Sequence, residues 1–464
     1  MKSWHFVGIC GIGMSALAQF ARTAGFAVSG SDRALENPEN APLKAMLEKQ
    51  GIKLFGQDGS RFAAGNDPAD AVVYSTAVEE SNPDFAASQG VARLHRATAL
   101  KMLIQMRCSG GKLSVAVAGS CGKTSTTAII SEALYNAGKD PECINGGMVK
   151  KFVTATCPGN YRSGAGAIVF EADESDKSLL EFHPDYALVL NIGTDHYPKA
   201  ELIEMFAQFV NQSQRGAVLE QSVFEQLKDK LRPGLEIKTF SAENVQSDWV
   251  IKNYRTENRC SMADFNSTAD VQLPAPGLHT ALNIAAAAAL LELMQCSAPE
   301  ALAHALNTHG VARRFDFKGR TAAGAEVYDD YAHNPEKIAN ILAAAQELAG
   351  SGNKVLAFFQ PHGYGPFGFM QKTLGEYLNK LLRKNDRFYL AEPFYAGGTS
   401  SFSPHAEEVF AEWKKLYPAL PVYLAGARAE LKTKLQSQAA SGDIILVMGA
   451  RDNTLAEYAA ELGG

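Results

Sequence analysis

The stretch that most restricts the fold of this chain is "VAVAGSCGKTSTT", at residues 115–127. An apolar run of strand length enters a loop of glycine and other small residues, and a pattern with helical spacing follows the loop. A buried strand, a glycine turn and a helix in this order are typical of α/β proteins whose sheet is parallel. The stretch therefore predicts an α/β domain built around this loop.

The same loop is a candidate phosphate site. The backbone N–H groups of Gly119–Gly122 can converge on a phosphate at the start of the following helix. Lys123 would then reach the outer phosphates, and the hydroxyl of Thr124 would bind Mg²⁺. The usual spacing G-x-x-x-x-G-K-[ST] fails, because Val117 stands where the first glycine belongs. The alternative is a strand-to-helix turn with an incidental lysine.

A second glycine loop, "GICGIGMS", follows the apolar run "WHFVGI" and precedes the helical pattern of "MSALAQFARTAG". The dinucleotide pattern G-x-G-x-x-G would need glycine at Cys10, whereas the glycines are Gly8, Gly11 and Gly13. Asp32 ends the next predicted strand, "FAVSGSD", where it can hold a ribose hydroxyl. We expect a ligand at this loop; the alternative is a loop that is rich in glycine only for close packing.

The length of the chain, 464 residues, exceeds what one hydrophobic core usually holds. The predicted fold class is α/β, with three consecutive α/β domains. These are a Rossmann-like N-terminal domain at 1–107, a P-loop central domain at 108–309 and a Rossmann-like C-terminal domain at 310–464. Predicted strands such as "YALVLNIGTDH" and "KVLAFFQPHGYG" end in polar residues. Ligands of open α/β sheets collect at the carboxyl ends of strands, so we expect the chemistry there.

Acidic residues follow two predicted strands of the central domain. The residues are Glu171, Asp173, Glu174 and Asp176 in "EADESD", and Asp195 with His196 in "NIGTDH". A carboxylate is expected beside a phosphate-bound Mg²⁺, because Mg²⁺ prefers oxygen ligands and takes few from the protein. Glu171, which is closest to the buried run, is the best candidate. The alternatives are a solvated acidic turn and a histidine with a structural role.

Charge and composition exclude several classes of protein. A net charge of −6 and a pI near 6.0 argue against a nucleic-acid partner. Seven cysteines without a C-x-x-C pair indicate reduced thiols. The chain lacks a signal-peptide pattern and an apolar run of about 18 residues, so we expect a cytoplasmic protein with no membrane partner. The GTPase N-K-x-D, kinase H-R-D and zinc-ligand patterns are absent from the sequence.

Further stretches extend the two glycine loops into a resemblance that covers nearly the whole chain. In chain order they are "GSD", "YSTAV", "GSCGKTSTT", "EADESD", "PGLHTALNIAAA", "RRFDFKG", "DDYAHNP" and "FQPH". Together with "GICGIGMSALA" they resemble the Mur ligase family, most closely the members that join L-alanine to UDP-N-acetylmuramate. The phosphate loop of that family has the shorter form G-T-x-G-K-T-[ST], which the loop of this chain resembles.

The resemblance implies an ADP-forming carboxylate–amine ligase of peptidoglycan synthesis that uses ATP and Mg²⁺. The carboxylate of UDP-N-acetylmuramate would attack the γ-phosphate of ATP, and the amine of an amino acid or short peptide would displace phosphate from the acyl phosphate. The N-terminal domain would bind the UDP-sugar, the central domain ATP and the C-terminal domain the amino substrate. A monomer or homodimer with small-molecule substrates is expected.

The resemblance also implies roles for individual residues. Catalysis would rest on Lys123, Glu171 and His196, and the Mg²⁺ ligands would be Thr124, Glu171 and His196. The implied ATP contacts are Gly119, Ser120, Cys121, Gly122, Lys123, Thr124, Ser125, His279, Asn283, Arg314 and Asp330. The implied UDP-sugar contacts are Gly11, Ile12, Gly13, Met14, Ser15, Asp32, Ser75, Thr76, Tyr331 and His333. Arg314 and Asp330 would reach the nucleotide only after domain closure.

The chain departs from the family pattern in two places. Cys121 stands where close relatives usually have histidine. Relatives read F-Q-P-H-R-Y-[ST]-R where this chain reads "FQPHGYGP", so Gly363 and Pro366 replace two arginines that lie beside the incoming amino acid. Either another cation, such as Arg451 or Lys372, binds the carboxylate of that amino acid, or the amine differs from L-alanine. A recycling ligase that adds a preformed peptide, and a binding protein without turnover, are further alternatives.

Overall fold

The computed structural model describes residues 2–63, 65–174, 177–193, 197–242, 244–394 and 402–464. The chain divides into two compact units. The first contains residues 1–252, 264–269 and 281–311, and the second contains 253–263, 270–280 and 312–464. The described residues form three sheets, each within one of the three predicted domains. The predicted α/β class is confirmed, whereas the boundaries at 107 and 309 stay predictions.

The first sheet has five strands. They are β1 (Ser3–Val7), β2 (Ala27–Asp32), β3 (Lys53–Gly56), β4 (Ala71–Tyr74) and β5 (Ala92–His95), with helices α1 (Ile12–Thr23), α2 (Ala41–Lys49), α3 (Pro83–Ala87) and α4 (Arg96–Ser109). All pairs are parallel, and the order β3–β2–β1–β4–β5 is that of a doubly wound fold. The order reverses between β1 and β4, so the crevice of such a sheet lies at the loop that follows β1.

The second sheet has ten strands. They are β6 (Ser114–Ala118), β7 (Glu142–Ile144), β8 (Tyr161–Arg162), β9 (Ile168–Glu171), β10 (Tyr186–Val189), β11 (Gly216–Glu220), β12 (Glu236–Ala242), β13 (Trp249–Glu257), β14 (Cys260–Phe265) and β15 (Thr268–Gln272). The helices of this segment are α5 (Lys123–Asn136), α6 (Lys199–Asn211), α7 (Gln221–Leu227), α8 (Leu278–Leu293) and α9 (Ala298–Leu306). The order is β15–β14–β13–β12–β11–β10–β6–β9–β7–β8.

Strand β6 lies between β9 and β10 and is parallel to both. Every residue of β6 is buried, because neighbours cover it on both edges and both faces. Its sequence is therefore a continuous run of small and β-branched residues instead of an alternating one. The carboxyl ends of the three parallel strands meet at one edge, which brings together the loops that follow Ala118, Glu171 and Val189.

The third sheet has six strands. They are β16 (Asp316–Arg320), β17 (Glu326–Asp330), β18 (Val355–Gln360), β19 (Arg387–Leu390), β20 (Val422–Leu424) and β21 (Ile444–Gly449), with α10 (Pro335–Ala349), α11 (Tyr364–Leu381), α12 (Ala406–Leu416), α13 (Arg428–Gln438) and α14 (Thr454–Gly463). The order is β16–β17–β21–β18–β19–β20, and only β16 is antiparallel to its neighbour among these strands.

Side chains of β21 show how this third sheet is buried. Leu446 and Met448 belong to the apolar cluster that includes Leu342 and Leu374 of the helices on one face. Val447 belongs to the cluster on the other face. Successive side chains of a strand point to opposite faces, so a strand covered on both sides has to be apolar throughout. Among the helices of the described residues, none is long and apolar enough to cross a membrane.

Candidate active site

The loop between β6 and α5 requires glycine at two positions. Gly119 has a φ of +133° and Gly122 a φ of +87°, a backbone region that side chains disfavour. A Cβ atom at Gly119 would lie 3.1 Å from Cβ of Leu190, and one at Gly122 would lie 3.2 Å from Oδ1 of Asn283. The predicted loop is thus tightly enclosed, and its first helical residue is Lys123.

Asn191 fixes the shape of this loop. Its Oδ1 accepts a hydrogen bond from the backbone N–H of Cys121 at 2.9 Å, and its Nδ2 donates to the Cys121 carbonyl at 3.0 Å. The backbone N–H of Gly193 donates to Oγ of Ser120 at 2.8 Å. Cys121 is therefore positioned through its backbone, so the loop does not need a histidine side chain there to keep its shape.

Lys123 is held by carboxylates. Its Nζ donates to the Gly119 carbonyl and to Oε2 of Glu174, both at 2.7 Å, and lies 3.7 Å from Oδ1 of Asp173. Burial alone would lower the pKa of this ammonium, but the charges of Glu174, Asp173 and Glu171 outweigh burial and raise the pKa. The lysine is consequently charged at neutral pH and lies across the loop, where an anionic phosphate would meet it.

Thr124 and Glu171 form a pair of oxygen donors beside this lysine. Oγ1 of Thr124 donates to Oε2 of Glu171 at 3.0 Å, and the backbone N–H of Gly146 donates to Oε1 of Glu171 at 2.6 Å. Nδ2 of Asn145 also donates to the Thr124 carbonyl at 3.0 Å. A hydroxyl and a carboxylate at the end of a phosphate loop fit Mg²⁺, which takes hard oxygen ligands.

One prediction about the metal ligands, His196, is left open by the structure. His196 lies outside the described residues, as do Asp195 and Asp176. Within the described part of the chain, no group of three or more His, Cys, Asp or Glu side chains forms a metal site. Thr124 and Glu171 are therefore the part of the predicted Mg²⁺ set that the structure brings together.

A cleft in the first unit joins the two glycine loops. Its walls include Gly13 from the first loop, Arg96 from the start of α4, and Lys123, Glu171 and Asp173 from the second loop and its surroundings. A Cβ atom at Gly13 would lie 3.5 Å from a guanidinium nitrogen of Arg96. The cleft therefore places a cation beside the first loop and a lysine with carboxylates beside the second.

The predicted residues of the first loop take different roles in the structure. Gly11 caps α1, and the half-buried Gly13 faces the cleft. Ser15 is fully buried, and its hydroxyl donates to the Gly11 carbonyl at 3.0 Å while accepting from Nδ2 of Asn160 at 2.8 Å. Met14 is also buried. These two side chains hold α1 in place, and the UDP-sugar contacts expected at Met14 and Ser15 stay predictions.

Asp32 closes the same loop. Its Oδ2 accepts a hydrogen bond from the backbone N–H of Cys10 at 2.9 Å, and its Oδ1 accepts one from Ala34 at 2.8 Å. Burial and the neighbouring carboxylate of Asp32 raise the pKa of the Cys10 thiol to about 12. Ser75 and Thr76 follow β4, the parallel neighbour of β1, so they lie at the same edge of the sheet as this loop. Sugar contacts at these positions stay predictions.

The two predicted nucleotide contacts on α8 fall in different units. Asn283 is buried in the first unit, with its amide beside Gly122. His279 belongs to the second unit, and burial lowers its pKa to about 4, so its imidazole is neutral at physiological pH. The structure thus places Asn283 at the phosphate loop.

The remaining predicted contacts cluster within the second unit. The carboxylate of Asp330 accepts hydrogen bonds from the backbone N–H groups of Phe315 and Ala332, both at 2.7 Å. Burial raises the pKa of Asp330 against the opposing charge of Arg314. The Arg314 guanidinium lies 5.2 Å from the ring centre of Tyr331, and Nδ1 of His333 donates to the Tyr331 carbonyl at 2.9 Å. These residues form one group at the carboxyl end of β17.

Sequence reasoning missed several residues of the site. Glu174 was named in the acidic stretch but was given no role, and Arg96, Asn145 and Asn191 were not singled out at all. For Arg96 a signal was present: a cation at the first position of a helix opposes the helix dipole, so it indicates a bound anion or a special contact. Asn145 and Asn191 gave no signal, because their contacts join segments that are distant in the sequence.

Comparisons with known proteins cover the chain from end to end. The model described as "Mur ligase family, catalytic domain" matches residues 3–107, "Mur ligase middle domain" matches 117–291, and "Mur ligase, glutamate ligase domain" matches 313–451. A curated relative from Synechococcus sp. (strain RCC307), named UDP-N-acetylmuramate--L-alanine ligase, is 32% identical over 97% of this chain and 93% of its own length.

Two solved structures show the same architecture. UDP-N-acetylmuramate-alanine ligase MurC from Thermotoga maritima is 25% identical, with a TM-score of 0.77 over 100% of this chain and 98% of that chain. A murein peptide ligase from Psychrobacter arcticus is 21% identical, with a TM-score of 0.69 over 100% of this chain and 98% of that chain. The second likeness establishes the fold alone.

Proposed function

Since this chain belongs to the Mur ligase family, we propose that it is an ATP-dependent ligase that joins L-alanine to the carboxylate of UDP-N-acetylmuramate. ADP and phosphate are the other products, and the reaction belongs to peptidoglycan synthesis. The relatives that carry this activity in their names span nearly the full length of the chain. The recycling of a preformed peptide onto the same sugar is the second candidate, and it differs only in the amine.

One observation carries the proposal. The cleft of the first unit is lined at the same time by Gly13 and Arg96 and by Lys123, Glu171 and Asp173. A UDP-sugar whose diphosphate lies at the glycine loop and Arg96 would extend its carboxylate toward the phosphate loop. The two reactants of the first chemical step would then share one cleft, which is the arrangement that phosphoryl transfer to a carboxylate requires.

The first step needs compensation of negative charge. A carboxylate oxygen attacks the γ-phosphorus of ATP, the bond to the β,γ-bridging oxygen breaks, and ADP leaves. Two anions have to approach each other, so a fixed positive charge lowers the barrier. Lys123 supplies that charge, and the carboxylates of Glu174 and Asp173 keep it protonated and oriented.

A divalent cation fits beside Lys123. Thr124 and Glu171 would hold Mg²⁺ through oxygen atoms, and the ion would neutralise charge on the transferring phosphoryl group.

In the second step the amine nitrogen attacks the acyl carbon, the carbon–oxygen bond to phosphate breaks, and the nitrogen loses a proton. We assign binding of the amine to the second unit, whose sheet presents histidines and arginines at its carboxyl edge.

The proposal is tested by measuring ADP formation with ATP, Mg²⁺, UDP-N-acetylmuramate and a panel of amines. The panel contains L-alanine, glycine, L-serine and a muramyl-type peptide, and each substrate is omitted in turn. We expect turnover to require all substrates, with L-alanine preferred and the amide product detected by mass spectrometry. A preference for the peptide would support the recycling reaction instead. Absence of stimulation by every amine would favour a binding protein.

A further inference from the structure

The carboxyl edge of the third sheet brings three loops together. Strands β17, β21 and β18 are parallel neighbours, so the loops that follow them lie side by side. Arg451 lies in the middle loop, and its backbone N–H donates to the hydroxyl of Tyr331 at 3.4 Å. On the other side lies His362, whose pKa falls to about 4 through burial and through the charges of Arg451 and Lys337. Arg451 is thus located between the loops of Tyr331 and His362.

Other arginines at this edge are used to hold the fold. Arg313 pairs with Asp329 at 3.2 Å and donates to the carbonyls of Gly449 and Asp452. Arg428 donates to the side chains of Asp452, Gln360 and Thr454. Their guanidinium groups bind the turn that carries Arg451, and these hydrogen bonds hold the turn from both sides.

The side chain of Arg451 does not hold this turn in the same way. It is exposed, and within the described part of the chain its guanidinium makes no hydrogen bond or ion pair. Its backbone has a φ of 65°, in the left-handed region that a residue with a large side chain seldom occupies. The clamped neighbours hold this conformation, so the side chain is presented at the edge instead of folding back on the turn.

The position next to Arg451 can accept an anion. Nδ1 of His362 is buried and has no hydrogen-bond partner among the described residues. Gly363, the next residue, carries no side chain, and nothing lies within 4 Å of a Cβ built at Gly365. A planar guanidinium that can form two parallel hydrogen bonds is suited to a carboxylate, and an unpaired charge of a substrate in a closed site is unfavourable.

We propose that Arg451 binds the α-carboxylate of the incoming amino acid, beside the loop that carries His362 and Gly363. This inference rests on the proposed function and names the group that recognises its amine substrate. Lys372, the other candidate cation, is exposed on α11 and offers a flexible point charge without the planar geometry that a carboxylate matches. Arg451 therefore determines specificity for α-amino acids.

The test compares L-alanine with L-alaninamide, which lacks the negative charge, in the wild type, Arg451→Ala, Arg451→Lys and the control Lys372→Ala. We expect Arg451→Ala to raise KM for L-alanine about ten- to a hundredfold, with KM for ATP and UDP-N-acetylmuramate unchanged. The preference for L-alanine over L-alaninamide should nearly disappear. Arg451→Lys should recover part of the preference, and Lys372→Ala should retain all of it.

Distinct results overturn the inference and the function on which it rests. If Arg451→Ala lowers kcat/KM equally for both amines, or if Lys372→Ala produces the loss of preference, Arg451 does not bind the carboxylate. The unchanged KM values for ATP and UDP-N-acetylmuramate separate this result from misfolding. A wild-type enzyme that forms no ADP with L-alanine overturns the proposed function, and the role of Arg451 with it.

Discussion

Nζ of Lys123 lies 2.7 Å from Oε2 of Glu174, a carboxylate that is only 2% exposed. The ion pair joins the first residue of α5 to the loop after β9, and Asp173 adds a second carboxylate at 3.7 Å. A buried ammonium is costly unless it is paired, so this arrangement keeps the lysine charged within a mostly enclosed loop. The pair therefore links the phosphate loop to the acidic strand end.

Replacing Lys123 should abolish catalysis. We expect Lys123→Ala to lower turnover about 10³-fold or more, because a fixed charge that meets developing negative charge contributes several kcal/mol to the barrier. The control is Lys177→Ala, whose exposed ammonium pairs with Glu201 at 2.6 Å at the surface. ADP formation with all substrates present measures the effect. A Lys123→Ala enzyme that keeps a tenth of wild-type turnover would contradict the assignment of this loop to ATP.

Thr124 and Glu171 should control the requirement for Mg²⁺. We expect Thr124→Val and Glu171→Gln each to raise the Mg²⁺ concentration for half-maximal rate about tenfold. The double variant should lose less than the sum, because both side chains act at one site. Thr127→Val is the matched control on the same helix: its hydroxyl is buried and has no hydrogen-bond partner among the described residues. Equal effects of Thr124→Val and Thr127→Val would argue against a metal ligand at Thr124.

Whether a contact of this site can be predicted from the sequence depends on how far apart its residues lie along the chain. The phosphate loop is predictable because strand, glycines, lysine and helix are contiguous, and the structure places Lys123, Thr124 and Glu171 together as expected. The shorter loop differs from the general pattern at Val117, which is buried in β6. Local signals therefore sufficed for this half of the site.

Contacts between distant segments were not predictable in the same way. Asn191 holds the loop through Cys121, which lies 70 residues earlier, and no local sequence pattern predicts that contact. The contact of Ser15 with the UDP-sugar stays a prediction that follows from its place in a glycine loop. The sequence did not indicate that the Ser15 hydroxyl also accepts a hydrogen bond from Asn160, 145 residues later. The orientation of a side chain on a helix depends on what packs against it, which a single sequence does not contain.

We expect that Gly122 cannot be replaced, because a Cβ atom there would meet neighbouring atoms. Gly138, which also has a positive φ but has open space around it, serves as the control. Gly122→Ala adds a Cβ 3.1 Å from Leu190 and 3.2 Å from Asn283, at a φ of +87°. Gly138→Ala, at the end of the same helix, has a φ of +71° but nothing within 4 Å. Both variants should lose about 1–2 kcal/mol of unfolding free energy from the backbone alone. Only Gly122→Ala should also lose binding of ATP, measured by calorimetry; equal ATP affinities would show that the loop has room for a side chain.

Arg96 should bind the anionic part of the UDP-sugar. It begins α4, lies beside Gly13 at the cleft, and forms no ion pair with the described residues. A cation at a helix N-terminus opposes the helix dipole, so an anion bound there would relieve the repulsion. We expect Arg96→Ala to raise KM for UDP-N-acetylmuramate about ten- to a hundredfold, with a much smaller change in KM for ATP. The matched control is Lys101→Ala on the same helix, where the ammonium pairs with Glu181 at 2.7 Å near the surface. If both variants raise KM for the UDP-sugar to the same extent, the effect arises from general charge and not from a contact of Arg96.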